Sequence, residues 1–169
     1  LMDLGVDIPF TDGVVISPDA VIGADTHILP GTVIKGKTRI GEGCEIGPNT
    51  ELNNCRIGEG VRVHSSLLED STVGDGARIG PFAHLRPGTT LQAGVKVGNF
   101  VEVKNSVVGE KTSIAHLTYI GDSDVGAGVN FGCGVVTANY DGAKKHRTVV
   151  GDGAFICFDT NLIAPVTLG

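Results

Sequence analysis

The chain has 169 residues, 13 Lys and Arg against 19 Asp and Glu for a formal charge of −6, 26 glycines, no tryptophan and 5% aromatic residues. That length is ordinarily one domain, the acidic balance argues against a general nucleic-acid binder, and so few rings disfavour a core built on large aromatics. No run approaches the ~18 apolar residues of a membrane span, and no basic-then-apolar start marks a signal peptide, so neither nucleic acid nor membrane is expected as a partner.

Residues 1–16 precede clear periodicity. Leu4, Val6 and Ile8 alternate, but Pro9, Asp12 and Gly13 break the run. This stretch reads as a lead-in, with the repeat domain over residues 17–169. From Ile22 an aliphatic residue returns every six positions: Ile22, Ile28, Ile34, Ile40, Ile46 and Leu52, and again Val73, Ile79, Leu85, Leu91, Val97 and Val103. Six is neither the helical period of 3.6 nor an unbroken period of two. It describes a short flat face, a turn and another short face. Three faces close a triangular coil, and coils stack into an all-β hexapeptide-repeat solenoid. Between Ile22 and Leu168 there is room for roughly eight coils, a prism about 40 Å long at ~4.8 Å per stacked strand.

Each hexad position has an expected role. The aliphatic residue at position one points inward and stacks on its equivalents, a burial worth roughly 1.5–3 kcal/mol each. Position two is often Gly (Gly23, Gly41, Gly47, Gly58, Gly74, Gly80, Gly98, Gly109) and is expected to supply positive φ at the corners. Position five is small or β-branched, from Thr26, Thr32, Thr38 and Cys44 through Thr72 to Val101, and is expected to point inward near a corner. Five hexads are one residue short: Leu52 to Ile57, Val63 to Leu68, Leu68 to Val73, Val103 to Val108 and Ile120 to Val125. A corner that tightens absorbs such a deletion. Between Phe131 and Val150 the spacing exceeds three hexads. The extra residues around 137–149 read as a protruding loop, and insertions of this kind often mark the binding face.

Bulky or unusual residues break the repeat in the segments Gly80–Gly88, Gly98–Asn105 and Ile114–Asp122. Arg86 and Lys104 stand 18 apart, at equivalent points of adjacent coils about 5 Å from one another. A phosphate between them would relieve their repulsion; otherwise they are exposed cations paired with carboxylates such as Glu102. His116, near these cations and Tyr119, suits general-base work, or is an ordinary surface histidine. A metal site is not expected, because His84 and His116 do not fall on successive coils. Cys44, Cys55, Cys133 and Cys157 form no C-x-x-C pair and read as free thiols in a reducing cytosol. Serine-nucleophile, Rossmann and P-loop fingerprints are missing.

Several motifs together carry a family resemblance: Gly80-Pro81-Phe82-Ala83 with Leu85-Arg86-Pro87-Gly88, Val97-Gly98-Asn99-Phe100-Val101-Glu102, His116-Leu117-Thr118-Tyr119 with Gly121-Asp122, Asn139-Tyr140-Asp141-Gly142, and Ala164-Pro165-Val166. From Ile79 onward the chain closely resembles the acetyltransferase domain of the bacterial bifunctional N-acetylglucosamine-1-phosphate uridyltransferase/glucosamine-1-phosphate acetyltransferases. Before Ile79 the resemblance is only to hexad repeats in general. The resemblance implies a left-handed parallel β-helix, a cytoplasmic homotrimer, and an active site between subunits. It implies acetyl-CoA as co-substrate, glucosamine-1-phosphate as acceptor, and a place in UDP-N-acetylglucosamine and peptidoglycan biosynthesis.

Carried over by residue, His116 matches the general base. Arg86, Lys104, Tyr119 and Asn130 match sugar-phosphate contacts. Asn139, Tyr140 and Lys145 match the loop that completes the site, with Lys145 binding sugar phosphate for a neighbouring subunit and Asn139 and Tyr140 on the acetyl-CoA side. Cys133 stands where the family often has an Ala that meets acetyl-CoA through its backbone. Cys157-Phe158 replaces the usual Gly-Ser, so Phe158 would either stack on acetyl-CoA or obstruct it. The uridyltransferase half, with its Gly-rich loop and magnesium site, has no counterpart here, and the chain is expected to stop short of further coils that complete the acetyl-CoA site. The reading from another class is a non-catalytic trimerising scaffold, or a fragment left inactive by the missing residues.

Overall fold

The computed structural model describes residues 5–169, which form a parallel β-solenoid of about nine turns without a helix. Leu4 lies outside the described residues. Each coil passes through three faces. The first is a nine-stranded sheet running from Val21–Ile22 to Val166–Leu168. The second runs from His27–Ile28 to Phe155–Ile156, and the third from Val15–Ile16 to Asn161–Ile163. Each strand pairs in parallel with its equivalent one coil away: Ile22 with Ile40, Ile28 with Ile46, Ile34 with Leu52. The second and third faces join into one sheet because two strands, Lys96–Lys104 and Ser113–Gly121, run round the corner between them.

All twelve position-one residues named from the sequence are buried. No coil closes its own core, so each ring of aliphatic side chains is desolvated only by the rings above and below. The periodicity gave roughly eight coils. The additional turn arises because residues before Ser17 already pack on the stack: Val6 is buried, Asp7 bridges to His27, and Val15–Ile16 pairs with Val33–Lys35.

Two hexad roles differ from expectation. Of the position-two glycines, Gly47 and Gly80 have the expected positive φ, at 111° and 99°, but Gly23, Gly41 and the others do not; a Cβ on Gly23 would sit 2.6 Å from the Gly41 carbonyl carbon of the next coil, so close stacking demands the glycine. Positive φ falls two residues later, at Gly43, where φ is 63°. In the short hexads the inward residue moves up one place. Ser71, not Thr72, is buried, as are Cys55, Ser66, Ser106 and Ser123. Each follows a residue in left-handed backbone (Asn54, Ser65, Asp70, Asn105, Asp122). Each donates its side-chain hydrogen to the carbonyl two residues back, at 2.6 Å for Ser71 and 2.8 Å for Ser106. Asn and Asp adopt left-handed backbone more readily than other side-chain-bearing residues. The tightened corner therefore closes with a local hydrogen bond in place of the missing residue.

The insertion leaves the third face after Val136–Ala138 and returns at Thr148–Val150 on the first. It emerges at the same corner as Arg86-Pro87-Gly88 and Lys104-Asn105, directly above them in the stack.

Candidate active site

Arg86 and Lys104 lie on the third face at its loop-side edge. Leu85 pairs with Val103, and the Arg86 N–H donates to the Val103 carbonyl at 2.8 Å, so the two cations follow on adjacent coils. Arg86 Nη1 donates to Glu102 Oε1 at 2.7 Å, and that carboxylate raises the guanidinium's already high proton affinity. Glu102 pairs with Tyr119 on the next coil, and Lys104 with Gly121. The Tyr119 ring folds over Gly121, where an added Cβ would lie 2.6 Å from Cζ. The phenol lies close enough to Arg86 and Lys145 to favour their charged forms. Lys145 descends from the loop to hydrogen-bonding reach of the Lys104 amine. Two ammonium groups this close repel: Lys104 is pulled below its ordinary value by Lys145 first and by desolvation second, and once it has lost its proton the neutral Lys104 amine, with Asp122, helps Lys145 keep its own. Within its own chain Lys145 meets Lys104.

His116 lies elsewhere, at the corner where the strand Ser113–Gly121 bends from the second face to the third. It pairs with Asn99 below, with Nδ1 3.3 Å from Asn99 Oδ1. Cys133 and then Phe158 continue that column, as shown by the Gly134 N–H donating to Leu117 (3.0 Å) and the Asp159 N–H to Cys133 (2.8 Å). A hollow of about 300 Å³ opens beside His116 on the second face, lined by Arg78, Lys96, Asn99 and Ser113 among others. Asn130 pairs with Ser113 on this same face. The next residue position along the corner carries Phe82, Phe100 and Leu117 on successive coils, each about three-fifths exposed.

The loop is braced internally. Tyr140 Oη donates to the Gly142 carbonyl at 2.7 Å, and Asp141 accepts from the Ala143 and Lys144 N–H groups, at 2.8 Å each, and pairs with His146 at 2.7 Å. Those bonds hold the Asp141 carboxyl far below the usual carboxylate range. Asn139 is buried and donates Nδ2 to Asp122. Arg147 grips Asp124 with Nε at 2.7 Å and Nη2 at 2.6 Å, which lowers the proton affinity of that carboxylate.

The residues named from the sequence thus fall into two groups within one chain. Arg86, Lys104, Tyr119 and Lys145 converge on the third face, with Asn139 and Tyr140 on the loop above. His116, Asn130, Cys133 and Phe158 lie on the second face and its corner. Two further residues were missed. Asn99 precedes His116 by 17 positions and Asp122 precedes Asn139 by 17. Seventeen is one coil containing a short hexad, a signal the eighteen-residue comparison passed over. Among the described residues no three His, Cys, Asp or Glu side chains cluster as metal ligands would.

Known proteins share both the repeat and the fold. The bacterial transferase hexapeptide (six repeats) pattern matches residues 19–54 and 70–105. Bifunctional protein GlmU of Heliobacterium modesticaldum is 53% identical over 168 residues, covering 99% of this chain and 37% of that protein. The GlmU of Carboxydothermus hydrogenoformans is 49% identical over 169 residues, covering 100% and 38%. The chain therefore spans little more than a third of the length of these curated relatives. Among solved structures, UDP-N-acetylglucosamine O-acyltransferase (LpxA) of Moraxella catarrhalis superposes with a TM-score of 0.62 at 16% identity, over 84% of this chain and 72% of that one. The acetyltransferase domain of PglB from Neisseria gonorrhoeae gives 0.57 at 22%, over 66% and 55%. These two establish the solenoid fold alone. The chain carries the bacterial transferase hexapeptide repeat and is, over its whole length, a relative of the C-terminal part of the bifunctional GlmU proteins.

Proposed function

We propose that this chain is the acetyltransferase part of such a protein, transferring acetyl from acetyl-CoA to the amine of glucosamine-1-phosphate in a homotrimer whose sites lie between copies. The convergence of Arg86, Lys104, Lys145 and Tyr119 into one cationic, hydrogen-bonding seat carries the reading. Three cations this close are unfavourable alone and favourable around a phosphate dianion.

A corner of the prism separates that seat from His116 and Asn130 of the same chain. A second copy removes the difficulty. If the exposed Phe82, Phe100 and Leu117 edges meet at a three-fold axis, the second face of one copy lies against the third face of the next. The base and Asn130 then come from one chain and the phosphate seat from its neighbour. An interface in which different faces meet closes a ring, as a trimer requires.

The chemistry follows from the amine. As an ammonium it cannot attack a thioester, so its proton must leave. With the Asn99 side-chain oxygen accepting from Nδ1–H, the Nε2 lone pair is left free to take the ammonium's proton. General-base help of this kind is worth roughly 10²–10⁴-fold. Attack forms a C–N bond and a tetrahedral oxyanion; collapse expels the CoA thiolate, which takes up a proton. The Cys133 N–H donates to no acceptor among the described residues. It is offered for the oxyanion, and one such donor contributes about 10²–10³-fold. No acyl-enzyme is needed.

The test is thiol release from acetyl-CoA. Release with glucosamine-1-phosphate, and far less with glucosamine lacking the phosphate, is the expected result. A folded trimer that releases no thiol with either would favour the scaffold reading.

A further inference from the structure

We propose that Asp122 is the positioning residue of the anion seat: it holds both ends of the protruding loop and so sets Lys145 against Lys104. The purpose of the seat rests on the acetyltransferase reading; the geometry of the tether does not.

Asp122 is only 6% exposed and sits in left-handed backbone with φ 48°. Its two carboxylate oxygens are bound from opposite sides. Asn105 Nδ2, one coil below, donates to Oδ1 at 2.5 Å, and Asn139 Nδ2, one coil above, donates to Oδ2. Its main chain is engaged as well. The Asp122 N–H donates to the Lys104 carbonyl at 3.0 Å, and the Asp122 carbonyl accepts the Thr148 N–H at 3.2 Å. Asn139 opens the loop and Thr148 closes it, so both ends of the insertion terminate on one residue. That same residue is bonded to the main chain of Lys104.

Arg147 completes the base of the loop. Its Nη1 donates to the Asn105 carbonyl at 3.2 Å and its Nη2 to the Ser123 carbonyl at 3.0 Å, in addition to the Asp124 pair. The tip is braced by the Tyr140 and Asp141 bonds, and Tyr140 bridges to Lys145 across it. A stiff tip on a fixed base leaves the base as the element that decides where Lys145 points.

A carboxylate is the group this position needs. It accepts on both oxygens and donates on neither, whereas an amide would turn one NH2 toward the NH2 of an asparagine. Lys104, Lys145 and Arg147 each feel the charge of this carboxylate, which favours their protonated forms.

The test uses the whole chain with isotope-labelled lysine side chains. In the wild type the Lys104 amine titrates below an ordinary lysine. In Asn139→Ala, which cuts the upper tether but keeps the Asp122 charge that itself holds the Lys104 proton, it should return toward the ordinary value as Lys145 withdraws. Affinity for inorganic phosphate should fall roughly ten-fold or more, the size of a lost charge-assisted contact. The exchange Asp122→Asn with Asn139→Asp restores a carboxylate–amide pair and should recover both readouts. If Asn139→Ala does not fold, Asn139→Ser, too short to reach the carboxylate, is expected to give the same two changes. Unchanged Lys104 titration and phosphate affinity in whichever variant folds overturns the proposal. Both readouts exist without turnover, so an inactive wild type would count against the acetyltransferase reading and leave this one standing.

Discussion

The rings of Phe82 and Phe100 stack with centroids 5.6 Å apart and planes 12° from parallel, on the outside of the molecule. Both residues hold left-handed backbone, with φ of 59° and 58°, and Leu117 extends the column with φ 42°. Bulky side chains are rare in that region. Three in a row, strained and exposed, are accounted for if another copy covers them. Phe100→Asp is therefore expected to turn a trimer into a monomer in sedimentation equilibrium. A wild-type chain that is itself monomeric at the same concentrations would remove this interface.

The shortened corners make a stability prediction. Ser106 Oγ donates to the Lys104 carbonyl at 2.8 Å and accepts the buried Ser123 N–H at 3.0 Å. Ser106→Ala strands that N–H, a loss of about 1–3 kcal/mol, to be read as a lower urea midpoint at unchanged slope. No shift would mean the hydroxyl is not closing the corner.

Phosphate affinity should fall with rising pH earlier than an ordinary lysine dictates. Lys104 has a lowered folded value, so it sheds its proton below the usual 10.5, and the seat loses a positive charge as pH climbs through that lowered value. Lys145→Ala removes the main cause. Calorimetric titration should then show weaker binding overall, with the alkaline fall moved to higher pH.

The base and tip of the loop should respond to acid. Asp124 is lowered mainly by Arg147, and Asp141 by the Lys144 N–H and then His146. A depressed carboxylate contributes order that is complete above its unfolded value and fades as pH falls through the folded one. Amide exchange across residues 139–147 should accordingly be slow at about pH 5 and quicken only below the ordinary carboxylate value of 3.8. Arg147→Ala should advance that loss to higher pH.

Much of this architecture is legible in six-residue spacing, because a stacked prism repeats one environment along its axis. Ile28, Leu52 and Leu85 could be named as core from their positions alone. The corners were harder. Thr72 and Ser71 are both small and polar, and only the tightened turn decides which faces inward. The position-two glycines matched the pattern for two reasons: Gly47 and Gly80 take positive φ, while at Gly23, Gly41 and others the approach of the next coil excludes a Cβ. In the site, Arg86 and Lys104 could be stacked from an interval of 18, but the insertion has no period, so nothing in the spacing brings Lys145 down onto Lys104 or Asn139 onto Asp122. That His116 lies round a corner from the cations also escaped the hexad count, which fixes depth in the stack more readily than distance across it.

The most direct test of the shared cleft is complementation between two defective chains. His116→Ala keeps the phosphate seat and lacks the base; Arg86→Ala with Lys104→Ala keeps the base and lacks the seat. Produced separately, each should be nearly inactive in thiol release with acetyl-CoA and glucosamine-1-phosphate. Produced together in equal amounts, random cyclic trimers place an intact seat against an intact base at about one site in four, so roughly a quarter of wild-type activity should return. Activity no greater than that of the separate variants, from trimers shown to be mixed, would contradict a site built by two chains.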